Sequence, residues 1–124
     1  MTDQELYGHA ERAAAGAYAP YSNFLVGAAV LTRDGRVITG VNVENAAYPL
    51  GMCAERCALS RAVAEGVRPG EVEAVAVTAS PCGGCRQWLL EFGVDRLAFM
   101  HEGELRVRTP DELLPDSFEL SPSR

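Results

Sequence analysis

The chain has 124 residues, 48% of them hydrophobic and 23% charged, with a formal net charge of −6. That length suits one domain, and the balance fits a packed globular fold rather than a disordered segment. The acidity, with no Lys/Arg stripe, argues against a polyanion such as nucleic acid as partner and leaves a small neutral molecule open. Apolar runs are short and interrupted, so no membrane contact is expected. The polar, acidic start Met1-Thr2-Asp3-Gln4-Glu5 is unlike a secretory or mitochondrial leader. A cytoplasmic location with reduced thiols is therefore expected, and the four cysteines point to metal binding rather than disulfides.

Thr2-x-x-Glu5 is a capping box, and the Ala-rich stretch to Ala17 predicts a first helix. Ala19-Pro20-Tyr21-Ser22 breaks it. Residues 24–32 are almost continuously apolar, the pattern of a strand buried on both faces. Asp34-Gly35 is a hairpin turn, and residues 36–43 form the returning strand. A loop over residues 44–51 leads to a helix over residues 53–65, ended by Gly66 in the left-handed cap position. Residues 72–79 read as a third strand. Ser80-Pro81 offers a cap and a first-turn proline for a helix running to Gly93. Residues 96–100 and 104–108 are two short strands, and the brevity of their link requires an antiparallel pair. Thr109-Pro110-x-Glu112 starts a last short helix, and the tail carries the apolar pair Phe118 and Leu120. The expected fold is α/β, a three-layer αβα sandwich with a mixed five-stranded sheet, in a single domain covering residues 1–124.

Two strings thirty residues apart carry the chemistry: Cys53-Ala54-Glu55 and Pro81-Cys82-Gly83-Gly84-Cys85. Cys53, Cys82 and Cys85 offer three thiolates for one tetrahedral ion, which leaves the fourth position for water, as a catalytic zinc site requires. Glu55 would then move protons to and from that water. Both strings sit at helix starts, where the positive end of the backbone dipole eases thiolate formation. Arg56 and Arg86 each follow a key residue and are expected to donate hydrogen bonds to the sulfurs. The competing reading is a closed structural Cys₄ site that recruits Cys57, four residues after Cys53 and on the same helical face. On an ideal helix Glu55 would point about 200° away from Cys53, so the catalytic reading requires Cys53 to sit in an irregular first turn.

The chain closely resembles the small homotetrameric cytidine deaminases over nearly its whole length. The resemblance rests on residues 19–29, on Gly40-Val41-Asn42-Val43-Glu44-Asn45-Ala46-Ala47-Tyr48-Pro49, on the two cysteine strings, and on Leu113-Leu114-Pro115-Asp116-Ser117-Phe118. It implies zinc held by Cys53, Cys82 and Cys85, with Glu55 as proton shuttle. It implies that Asn42 and Glu44 bind the sugar 3′-hydroxyl and that Phe24 lies against the base. The Ala54 amide and the Ser80 carbonyl would read the pyrimidine. Ala46, Tyr48 and Phe118 would enter the pocket from a neighbouring subunit of a homotetramer. The implied reaction is hydrolytic deamination of cytidine and 2′-deoxycytidine to the uridines, with release of ammonia. A deaminase of a cytosine-bearing antibiotic such as blasticidin S would share the metal strings, but Asn42 and Glu44 in this context favour a ribosyl substrate. A non-enzymatic zinc-stabilised binding protein would explain the cysteines but not Glu55.

Overall fold

The computed structural model describes residues 1–118, so Leu120 lies outside the described residues. Helix α1 (Asp3–Ala14) is closed at its N-terminus by the expected capping box, in which Thr2 and Glu5 each accept from the other's backbone amide. It is followed by β1 (Gly27–Thr32), β2 (Val37–Val41), a 3-10 turn (Tyr48–Leu50), α2 (Ala54–Ala64) and β3 (Val72–Val77). The chain continues with α3 (Gly83–Phe92), β4 (Arg96–His101), β5 (Glu104–Arg108) and α4 (Pro110–Leu113).

The five strands form one sheet in the order β2-β1-β3-β4-β5, in which β3 and β4 are parallel and the other neighbours antiparallel. One face carries Leu6, Tyr7 and Ala10 of α1 against Ala29, Leu31, Ala74, Ala76 and Ala98. The other buries Ala54, Ala58, Leu59 and Ala62 of α2 and Leu89 and Phe92 of α3 against Val30, Val75, Val77 and Leu97. The expected three-layer architecture is therefore present, and every residue of β1 is buried, as its unbroken apolar run requires. Among the described residues, no helix is long and apolar enough to cross a membrane.

Several expected boundaries move, each for a local reason. The apolar run beginning at Phe24 enters the sheet only at Gly27. Before it, Asn23 adopts φ 59 in a turn whose amide bonds Ala19 O, leaving Phe24 and Leu25 outside the sheet and exposed. Helix α1 stops three residues short of Ala17, because the Gly16 and Ala17 amides turn back to Ala13 O and Ala14 O. Neither Ser80 nor Pro81 opens α3. Its cap is Cys82, whose sulfur accepts from the Cys85 amide at 3.4 Å.

Two glycines set how closely the helices approach the sheet. A Cβ on Gly27 would stand 2.0 Å from Ala10 O of α1, and one on Gly40 would stand 2.3 Å from the Ala58 amide of α2. Both obstacles are backbone, which cannot swing aside. Gly40→Ala is accordingly expected to destabilise the protein by about 3 kcal/mol through overpacking. Gly16→Ala, which meets only an ordinary contact at 3.5 Å, should stay within about 0.5 kcal/mol of the parent. Urea denaturation of the two variants checks both expectations.

Candidate active site

The N-termini of α2 and α3 meet, and each is capped by a cysteine in extended conformation, Cys53 at φ −73, ψ 154 and Cys82 at φ −71, ψ 169. Cys85 lies in the first turn of α3 and is fully buried. The three sulfurs lie within 4.8 Å of one another, with Cys53 and Cys82 at 3.8 Å. A tetrahedral zinc with bonds of ~2.3 Å needs sulfurs about 3.8 Å apart, so the triad fits the ion.

The cap geometry also decides the direction of Glu55. Because Cys53 stands before the first helical residue, its side chain does not follow the helical rotation, and Glu55 at the second helical position turns inward. It is 3% exposed and lines the same cleft as Cys53 and Cys82. Cys57, one turn into α2, is not part of the sulfur cluster. Zinc is the ion this donor set suits, three soft thiolates with a carboxylate outside the set.

Burial pushes the Cys53 and Cys85 thiols upward, and the neighbouring charges of Glu55 and Cys53 add to the effect at Cys85. Partial burial acts in the same direction on Cys82, but hydrogen bonds from the Cys85 amide, the Cys85 and Cys53 thiols and the Gly84 amide together outweigh it and lower this thiol. A dication is what allows all three to ionise together. Burial also raises the Glu55 carboxyl above the usual carboxylate range, which suits a group that must both accept and release a proton.

The Arg56 guanidinium reaches Cys82 Sγ at 3.9 Å and packs over Gly84, where a Cβ would stand 2.1 Å from its Nη2. Among the described residues, its Nε is buried without a partner. Arg86 does something other than expected. It bonds Pro81 O at 3.0 Å and Leu113 O at 2.9 Å, tying the turn before α3 to α4 rather than donating to sulfur. Its position one residue after a ligand suggested a sulfur contact, but the helix carries its side chain toward α4.

The cleft beside the sulfurs has a volume of about 390 Å³ and is lined by Phe24, Asn42, Glu44, Tyr48, Ala54, Glu55 and Ser80 among others. Asn42 Oδ1 accepts from the Val26 amide at 2.8 Å while its Nδ2 donates to Phe24 O at 2.9 Å. Glu44 accepts from the amides of Tyr21 at 3.0 Å and Ser22 at 3.1 Å, and from the Ser22 hydroxyl. Tyr48 is 83% exposed and lines the cleft of its own chain, whereas Ala46 and the 73%-exposed Phe118 lie outside that lining. Ser22 and Met52 also line it and were missed as site residues. Ser22 reads in sequence only as part of a helix-breaking turn. Met52 is placed by an isolated bridge to Val43, too short to leave a periodic signal.

Residues 1–101 match the family described as the cytidine and deoxycytidylate deaminase zinc-binding region. The chain is 49% identical to a cytidine deaminase of Mycobacterium tuberculosis, covering 93% of this chain and 88% of that protein. It is 46% identical to one from Halalkalibacterium halodurans, covering 95% of each. Among solved structures, the cytidine deaminase of Burkholderia pseudomallei superimposes with a TM-score of 0.88 at 48% identity, over 95% of this chain and all of that one. Sulfur triad, buried glutamate and these likenesses agree, and the chain belongs to the cytidine and deoxycytidylate deaminase family.

Proposed function

We propose that this protein is a zinc-dependent cytidine deaminase acting on cytidine and 2′-deoxycytidine in pyrimidine salvage, as one catalytic domain over residues 1–124 working in the cytoplasm. The observation that carries the reading is the triad of sulfurs within 4.8 Å beside a buried carboxylate that faces an open cleft. A closed Cys₄ scaffold would have no use for that carboxylate, and Cys57 stands outside the triad.

Cys53, Cys82 and Cys85 would hold the zinc, which when bound supplies the Lewis acidity that makes a water nucleophilic near neutral pH. Glu55 accepts the proton of that water and delivers it to N3 of the pyrimidine, leaving C4 electrophilic. Water oxygen bonds to C4, Glu55 carries the second proton to the amino group, and the C4–N bond breaks to release ammonia and leave a carbonyl. The buried position of Glu55 keeps bulk water from competing for that proton. Asn42 and Glu44 would anchor the ribose 3′-hydroxyl, and Phe24 would lie against the base. The Ala54 amide, in the first turn of α2 and without an intrahelical acceptor, would donate to the pyrimidine O2, and the Ser80 carbonyl would accept from the amino group. Arg56 would withdraw charge from the sulfurs through Cys82.

A homotetramer is the assembly that suits this chain. The exposed Tyr48, Leu50 and Phe118 form no part of either core cluster, and burial against other copies would remove them from water. Ala46, Tyr48 and Phe118 would then complete a neighbour's pocket.

Glu55→Gln is expected to retain one zinc per chain while losing at least ~10²–10⁴-fold in turnover, measured by the fall in cytidine absorbance and by metal analysis. Cys57→Ser should keep both zinc and most activity, whereas Cys53→Ser, Cys82→Ser or Cys85→Ser should release the metal. A Cys57 variant that loses zinc like the other three would establish the closed site instead. Light scattering should give a mass near four chains, and a fully active monomer at assay concentration would refute pocket sharing.

A further inference from the structure

The stretch over residues 21–26 carries Phe24 to the cleft wall; its last residue, Val26, is packed into the core, but Phe24 itself is 62% exposed. Polar bonds hold it at two points. Asn42 grips the later end through Val26 N and Phe24 O. Glu44 grips the earlier end, one carboxylate oxygen taking the Tyr21 and Ser22 amides and the other the Ser22 hydroxyl. The same Ser22 Oγ accepts from the Phe24 amide at 3.0 Å. A serine hydroxyl has one proton to give. Donating it to Glu44 while accepting from Phe24 leaves that proton no second orientation.

We infer that Ser22 is a positioning residue for sugar recognition: its hydroxyl couples the Glu44 carboxylate to the Phe24 backbone, so that the group facing the 3′-hydroxyl and the ring facing the base are set by one side chain. The inference rests on the reading of the cleft as a nucleoside site. The hydrogen bond from Ser22 is also the foremost cause that lowers the Glu44 carboxyl from its ordinary value, and an ionised carboxylate offers acceptors only. Without the hydroxyl, Glu44 keeps its two amide bonds on one oxygen while the other is free to turn. A carboxylate that must be ordered at the moment of binding discriminates less well than one already fixed.

The rival explanation is a hydroxyl that merely stabilises an exposed turn. Such a role would lower thermal stability and weaken every substrate alike. Substrates differing only at the 3′-position separate the two. Wild type, Ser22→Ala and Ser22→Thr are compared on 2′-deoxycytidine and 2′,3′-dideoxycytidine, with zinc content and melting temperature recorded for each. Loss of a charge-assisted bond predicts that Ser22→Ala lowers the kcat/KM ratio between the two nucleosides by about tenfold. The change should fall mainly on KM for 2′-deoxycytidine, with zinc content intact. Ser22→Thr, which keeps the hydroxyl, should restore the ratio. An active wild type whose ratio is unmoved by Ser22→Ala, or a ratio that Ser22→Thr fails to recover, overturns the inference and leaves the deaminase reading standing. A zinc-loaded wild type inactive on both nucleosides overturns both.

Discussion

Everything functional in this protein depends on two helix N-termini being brought nose to nose. The end of α2 and the end of α3 each present unpaired amides and a partial positive charge, and each is capped by a cysteine. That concentration of positive potential makes a cluster of three sulfurs tolerable in a partly buried place, and a dication completes the neutralisation. The fold serves the meeting. The parallel pair β3–β4 is bridged by α3, and Gly40 lets α2 sit almost in backbone contact with the sheet. Widening either approach would spread the sulfurs beyond the reach of a single ion.

Within that frame the first turn of each helix performs two tasks at once. At α3, Cys82 satisfies an orphan amide with the same sulfur that faces the metal position, which joins helix capping to ligand orientation. At α2, the extended conformation of Cys53 frees its own side chain from the helical rotation that Glu55 follows, and lets a carboxylate and a thiolate two positions apart share one cavity. Gly84 belongs to the same device, since a Cβ there would stand 2.1 Å from Arg56 Nη2 and oblige the guanidinium to move from its place beside Cys82.

The sugar side of the cleft is organised differently. Val26 anchors one end of it in the core, and the wall bearing the exposed Phe24 is tied to Asn42 and Glu44 by hydrogen bonds. Residues expected to bind substrate thus also build the wall. Asn42 retains one amide proton and Glu44 further lone pairs after these bonds, so both tasks are compatible. Such polar scaffolding holds direction more tightly than apolar packing would, which suits recognition of a single hydroxyl.

Much of this was legible in the sequence. Buried strands announced themselves by unbroken apolar runs, the starts of α1 and α4 by their capping boxes, and the metal site by cysteine spacing beside a glutamate. Local chemistry writes those signals, because a strand buried on both faces admits few polar residues and a tetrahedral ion admits few donor sets. Other features belong to the tertiary structure alone. Phe24 reads as strand, yet the turn at Asn23 expels it into the cleft. Arg86 reads as a sulfur donor, yet α4 claims it. The direction of Glu55 depended on whether Cys53 stood inside the helix or just before it, a shift of one residue that periodicity does not resolve. Ser22 lies within the stretch that carries the family resemblance, but nothing in the sequence marked its own part, because that lies in a partner twenty-two positions away that only folding brings within hydrogen-bonding reach. Spacing along the chain determined which atoms were available, and long-range packing decided which of them face one another.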